Sequence, residues 1–116
     1  MVDLLNILIA LVSIGFGAIG WAAPRYTMRQ LDLAPAGDST MGHSEMRAAS
    51  GALFVGLGLG ALLIGNPTAY AMIGCAWGGA AIGRLTSILL DGASRTKWIF
   101  FAVEIVVGVL AIVINH

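Results

Sequence analysis

Apolar residues in this chain gather into four runs of 18 or more, and most of the polar residues fall between them. The runs cover about residues 4–23, 45–65, 69–90 and 97–114. Each is close to the roughly 20 residues that cross a bilayer core as a helix. Strands are unsuited to these lengths. Backbone groups in lipid must also pair within their own segment, which favours helices. The runs stop where helices stop. Pro24 follows the first, Asn66-Pro67 the second and Asp91-Gly92 the third. The pattern predicts an all-α fold: an integral membrane four-helix antiparallel bundle, a single transmembrane domain over residues 1–116, with both termini on the same side.

The connections differ in length. Residues 24–44 form a polar loop, in which Tyr26 to Leu33 has the makings of a short interfacial turn of helix, and Pro35, Gly37 and Asp38 mark irregular chain. Ser44 is a candidate N-cap for the second helix, with Glu45 in its first turn. The other connections are short, so helices two, three and four are antiparallel neighbours in sequence order.

Composition agrees with the pattern. Of 116 residues, 59 % are apolar and 10 % charged, against roughly 25 % charged in soluble domains. Mean hydropathy is +0.93. Formal net charge is zero, so nothing points to nucleic acid as a partner. The run at the start ends in small residues before Pro24, as a signal peptide does. Its opening Met1-Val2-Asp3 has no basic residue, however, and cleavage is not expected.

Charge is segregated along the bundle. All six Lys and Arg residues, and five of the six acids, fall toward the end reached by the first helix. Lys/Arg-rich loops face the cytoplasm. The expected setting is therefore a bacterial inner (cell) membrane, crossed several times, with charged loops cytoplasmic and both termini periplasmic. Trp21, Tyr26 and Trp98 suit an aromatic belt at the charged end, and Tyr70 suits one at the other.

Small residues recur at steps of four. Ala48, Ala52, Gly56 and Gly60 share one face of the second helix, and Ala71, Cys75, Gly79, Gly83 and Ser87 one face of the third. Such stripes let backbones pack closely in lipid, so helices two and three are expected to meet through them, the contact being either internal or between copies of the chain. Ser13, Gly17 and Gly20 offer a further close contact from the first helix. Cys75 reads as a small packing residue and Trp77 as packing in core or lipid. Asn6 is placed to bond across helices.

Arg84 lies seven residues before the end of the third run, and Glu104 seven after the start of the fourth. Both therefore sit roughly 10 Å below the membrane surface at 1.5 Å per residue. Isolated charges at depth are costly, so the two are expected to turn inward and pair. Asp91 shares the face of Arg84, and Glu45 and Arg47 open the second helix at the same level. These five, Glu45, Arg47, Arg84, Asp91 and Glu104, form the candidate cluster. It serves either as a ligand or proton site, with arginine favouring carboxylate or phosphate over proton carriage, or as an ion-pair network fixing helix register. His43 and Glu45 lack the further ligands a metal site needs. No metal, no cofactor and no catalytic residue is expected, because the chain carries no phosphate loop, no nucleophile beside a base and no Cys-x-x-Cys.

The stretches Gly20-Trp21-Ala22-Ala23-Pro24-Arg25, Ser44-Glu45-Met46-Arg47-Ala48 with Gly51, Gly83-Arg84 with Ser87 and Asp91-Gly92, and Glu104 resemble an uncharacterised family of small bacterial four-helix membrane proteins, known only as a domain of unknown function. The resemblance spans nearly the whole chain and implies the same bundle and the same polar residues. That family looks loosely similar to the DoxX-like group, some of whose members are small membrane subunits of redox enzymes. The expected function is an accessory or scaffold subunit of a larger membrane complex, with the lipid bilayer and either other membrane subunits or further copies of itself as partners. The alternative is a binder or transporter of an anionic or quinone-like small molecule at the charged cluster. A membrane enzyme acting on a quinone-like molecule is the least favoured reading.

Overall fold

The computed structural model describes residues 2–116. It contains helices α1 (Val2–Ala22), α2 (Pro24–Gln30), α3 (Met41–Arg47), α4 (Leu53–Ile64), α5 (Pro67–Asp91) and α6 (Arg95–Val113), and no strand among the described residues. A single π-helical stretch, Ala48–Ala52, joins α3 to α4, so Met41–Ile64 is one continuous span. Four helices are thus long and apolar enough to cross a membrane. Large side chains such as Leu63, Ile82, Leu89 and Leu90 are exposed all around them, as a surface solvated by lipid tails requires.

Local chemistry explains the boundaries. Pro24 opens α2, where its missing N–H is no loss. Gly65 ends α4 with φ of 71°, in the left-handed conformation that glycine adopts at little cost. The side chains of Asn66 and Ser94 cap α5 and α6 by accepting from the backbone N–H of Ala69 and Lys97. The second span starts at Met41, earlier than Ser44 and Glu45 suggest. Ser44 lies inside it, and Thr40 stands at the N-cap without a side-chain bond.

The helices pack as two tight hairpins. One pairs α1 with the second span, and the other pairs α5 with α6. Glycine sets both distances. A Cβ built on Gly17 would lie 2.5 Å from the Gly51 carbonyl oxygen, and one on Gly58 would lie 2.5 Å from that of Ala10. Gly20 abuts the Ser50 carbonyl. In the other hairpin a Cβ on Gly74 would lie 2.8 Å from the Gly108 carbonyl oxygen, and one on Gly108 2.7 Å from the Gly78 nitrogen. The close contact expected of Gly17 and Gly20 is present. The expected seam between helices two and three is not. Cys75, Gly79, Gly83 and Gly56 are exposed, and a Cβ on Gly56, Gly60, Gly79 or Gly83 would meet nothing within 4 Å. Those stripes face outward, because the buried glycines occupy other faces.

The hairpins meet at one end only. Ile9, Ala10, Ala61, Tyr70, Ile73, Trp77 and Ala111 form the shared core. At the same end Asn6 and Asn115 exchange two side-chain hydrogen bonds of 2.8 and 2.7 Å, joining the two ends of the chain. Tyr70 belongs to this core at 8 % exposure, rather than to an interfacial belt. Trp21, Tyr26 and Trp98 are about half exposed, as a belt requires. At the opposite end neither α3 nor the π-helical turn approaches α5 or α6 closely. The molecule is correspondingly flattened, with extents of 47 × 30 × 16 Å.

Candidate functional site

The space between the hairpins at this open end is a cavity of about 480 Å³. That lies within the roughly 300–1,000 Å³ range of small-molecule sites. Phe16 and Phe54 line it from one hairpin, Trp77 and Phe100 from the other, and Tyr26, Thr27 and Gln30 of α2 overhang it. Trp77 anchors the floor. Its ring meets Phe16 and Phe54 edge-on, with centroids 5.2 and 5.4 Å away. Its indole Nε1 donates to the Ser13 hydroxyl at 3.4 Å, and that hydroxyl donates to the Phe54 carbonyl at 2.9 Å. The aromatic floor is thus tied to both hairpins by hydrogen bonds as well as by packing.

Arg84 and Glu104 form the polar wall. Arg84 Nε donates to Glu104 Oε1 at 3.1 Å and Nη2 to Oε2 at 2.9 Å, a bidentate pair. Equal depth on adjoining helices brings the two together, as the sequence predicts. The pair is asymmetric. The Glu104 side chain is 10 % exposed and that of Arg84 is 31 % exposed. Glu104 is therefore the more deeply sunk partner and Arg84 the more exposed one, and both line the cavity. The Arg84 guanidinium lies over the Phe100 ring, 5.3 Å from the centroid, a cation–π placement. Nη1 makes no hydrogen bond to a protein group among the described residues. Arg84 thus brings an uncommitted donor to the lining of a largely apolar, aromatic-walled space. Chemically it can donate to a carbonyl, hydroxyl or carboxylate oxygen.

The other three members of the predicted cluster stand apart. Glu45 is exposed and makes no ion pair among the described residues. Arg47 is exposed and donates from Nη1 to the Trp21 carbonyl at 2.8 Å, closing the end of α1. Asp91 accepts from the Ser87 hydroxyl one turn earlier at 3.1 Å. A shared level does not fix azimuth. The π-helical turn and the local bonds of Arg47 and Asp91 direct these side chains away from Arg84. Arg84–Glu104 is the one ion pair among the described residues. The five-residue network thus reduces to that pair. The second helix's contribution to the cavity is Ala49, Ser50 and Phe54 in place of Glu45 and Arg47. No grouping of three or more His, Cys, Asp or Glu suited to a metal occurs among the described residues.

The aromatic lining was not singled out from the sequence, Trp77 aside. Phe16, Phe54 and Phe100 look like ordinary apolar residues of membrane helices. Only their convergence at the height of Arg84 distinguishes them.

A family model described as a domain of unknown function (DUF4345) matches residues 1–115. No curated protein and no solved structure matches the chain.

Proposed function

We propose that this chain, which belongs to the DUF4345 family, binds a small lipid-soluble molecule in the cavity between its hairpins. The apolar body of that molecule lies among Phe16, Phe54, Trp77 and Phe100, and an oxygen of its polar end meets Arg84. The observation that carries this reading is the one-sided exposure of the ion pair. A pair that served only to fix helix register would bury both partners. Here Glu104 is buried and Arg84 presents free N–H groups to a cavity of ligand size. Because Glu104 already balances its charge, a neutral carbonyl or hydroxyl oxygen suits Arg84 at least as well as an anion.

The test is chemical. Protein purified in mild detergent is extracted with organic solvent, and the extract is compared with that of Ala80→Phe, which puts a ring into the cavity and leaves both members of the ion pair in the sequence. A compound present at near one per chain in the parent and depleted in the variant is the expected result. Matching extracts refute the reading.

A second reading, an accessory subunit of a larger complex, draws on the outward stripe of Cys75, Gly79 and Gly83. Small-residue faces suit close helix contacts in lipid, with either another membrane subunit or a second copy of this chain. Elution as a single species without stoichiometric companions counts against it. For either reading we place the chain in a bacterial inner membrane. Arg25, Arg29, Arg47, Arg95 and Lys97 lie toward the cytoplasm, in line with the positive-inside rule. A green fluorescent protein fused after His116 is then dark, and bright fluorescence inverts the orientation.

A further inference from the structure

A second recess, of about 910 Å³, lies between α2 and the start of the second span. Arg25 of α2 and Arg47 of α3 enter it from different elements, and His43, Thr40, Ser44 and Tyr26 add N–H or O–H groups. None of the six acidic residues lines it. In a chain of zero net charge this recess therefore concentrates positive charge without a carboxylate to balance it. Arg47 is held in place by its bond to the Trp21 carbonyl, which leaves Nε and Nη2 without a protein acceptor among the described residues. Arg25 has no protein acceptor there either.

Next to the recess the second span carries a strip of small residues that can serve as a furrow. Ala48 and Ala52 line the apolar side of the recess. Gly56 and Gly60 follow in α4, one turn apart, and a Cβ on either would meet nothing within 4 Å. Trp21, half exposed beside Arg47, marks the level of the membrane interface. A basic cup at that level, beside a strip of alanine and glycine, matches a molecule with an anionic head and a hydrocarbon tail.

We infer that this recess binds the phosphate headgroup of an anionic phospholipid, with one acyl chain lying along Ala52, Gly56 and Gly60. Free phosphate would use the cup and leave the furrow empty. The inference is independent of what the cavity beside Arg84 holds.

The test is a titration of the full chain in neutral detergent with short-chain phosphatidylglycerol, read by thermal unfolding. A saturable rise in Tm is expected. Phosphatidylcholine of the same chain length and inorganic phosphate should not reproduce it. Arg25→Gln should require roughly five-fold more lipid, the factor one basic side chain contributes beside anionic headgroups. Arg29→Gln removes the same charge from the same helix outside the recess, and should titrate as the parent does. Gly56→Leu, which obstructs the furrow, should also weaken binding, provided its circular dichroism is that of the parent. Equal effects of Arg25→Gln and Arg29→Gln overturn the inference, because they mark a diffuse surface potential. So does a matching rise with phosphatidylcholine or with inorganic phosphate.

Discussion

Gly17→Ala tests which glycines hold the protein together. The added methyl would lie 2.5 Å from the Gly51 carbonyl oxygen and 2.6 Å from the Val55 nitrogen. Ordinary carbon–oxygen contacts are about 3.3–3.6 Å, so the two helices must part by about 1 Å. Both obstructing atoms are backbone and cannot rotate away. Overpacking costs about 1–3 kcal/mol, and rigid neighbours place this case near 3. Alanine returns about 0.5–1 kcal/mol through its greater helix preference. The net expectation is a loss of roughly 2 kcal/mol. Gly56→Ala is the matched control. Its methyl meets nothing within 4 Å, so only the helix-preference term remains, a gain of about 0.5–1 kcal/mol. Equilibrium unfolding in mixed micelles, followed by circular dichroism, resolves a difference of that size. If Gly17→Ala is as stable as the parent, or Gly56→Ala is the more damaging, the assignment of the close-packed seam is wrong.

Three further expectations follow from the same geometry. Arg84→Ala strands the carboxylate of Glu104 and lowers stability by about 3 kcal/mol, whereas Glu104→Gln keeps an oxygen acceptor and costs about 1 kcal/mol. Parent-like unfolding of Arg84→Ala would show that the pair contributes nothing to the fold. Asn6→Ala and Asn115→Ala each cost about 1–2 kcal/mol, and the double variant costs less than their sum. Additive losses in the double-mutant cycle would mean that the two amides do not bond. Cys75, in the third turn of α5 and exposed, should resist a water-soluble maleimide in intact membranes and react after transfer to dodecyl sulfate. Rapid labelling in membranes would place that face against water.

The four spans were readable because hydropathy and helix stops are local properties. Pro24, Asn66-Pro67 and Asp91-Gly92 each act on their own backbone, and the helices end there or nearby. The Arg84–Glu104 pair was readable for a related reason. Equal residue counts from one short turn put both at one depth, and charge in lipid supplies the attraction. Azimuth was harder. Four-residue spacing identifies a stripe but not what it faces, and in lipid an outward glycine carries no desolvation penalty to give it away. Gly56 and Gly79 therefore looked as suited to packing as Gly17 and Gly74 do. The π-helical turn at Ala48–Ala52 adds a phase shift in the second span that no residue type announces. Arg47 was misread because its acceptor, the Trp21 carbonyl, is a main-chain group. Asn115 was missed because it lies beyond the last apolar run.

The two hairpins touch through a core at one end and separate at the other, which gives the molecule the mechanics of a clothes-peg. From Trp77, which is held to both hairpins, to Arg84 is seven residues, or roughly 10 Å of lever at 1.5 Å per residue. A swing of about 5° at the gripped end shifts the far tips by about 0.9 Å on that arm. Neither glycine seam has to loosen for this to happen, since each jaw moves as a unit.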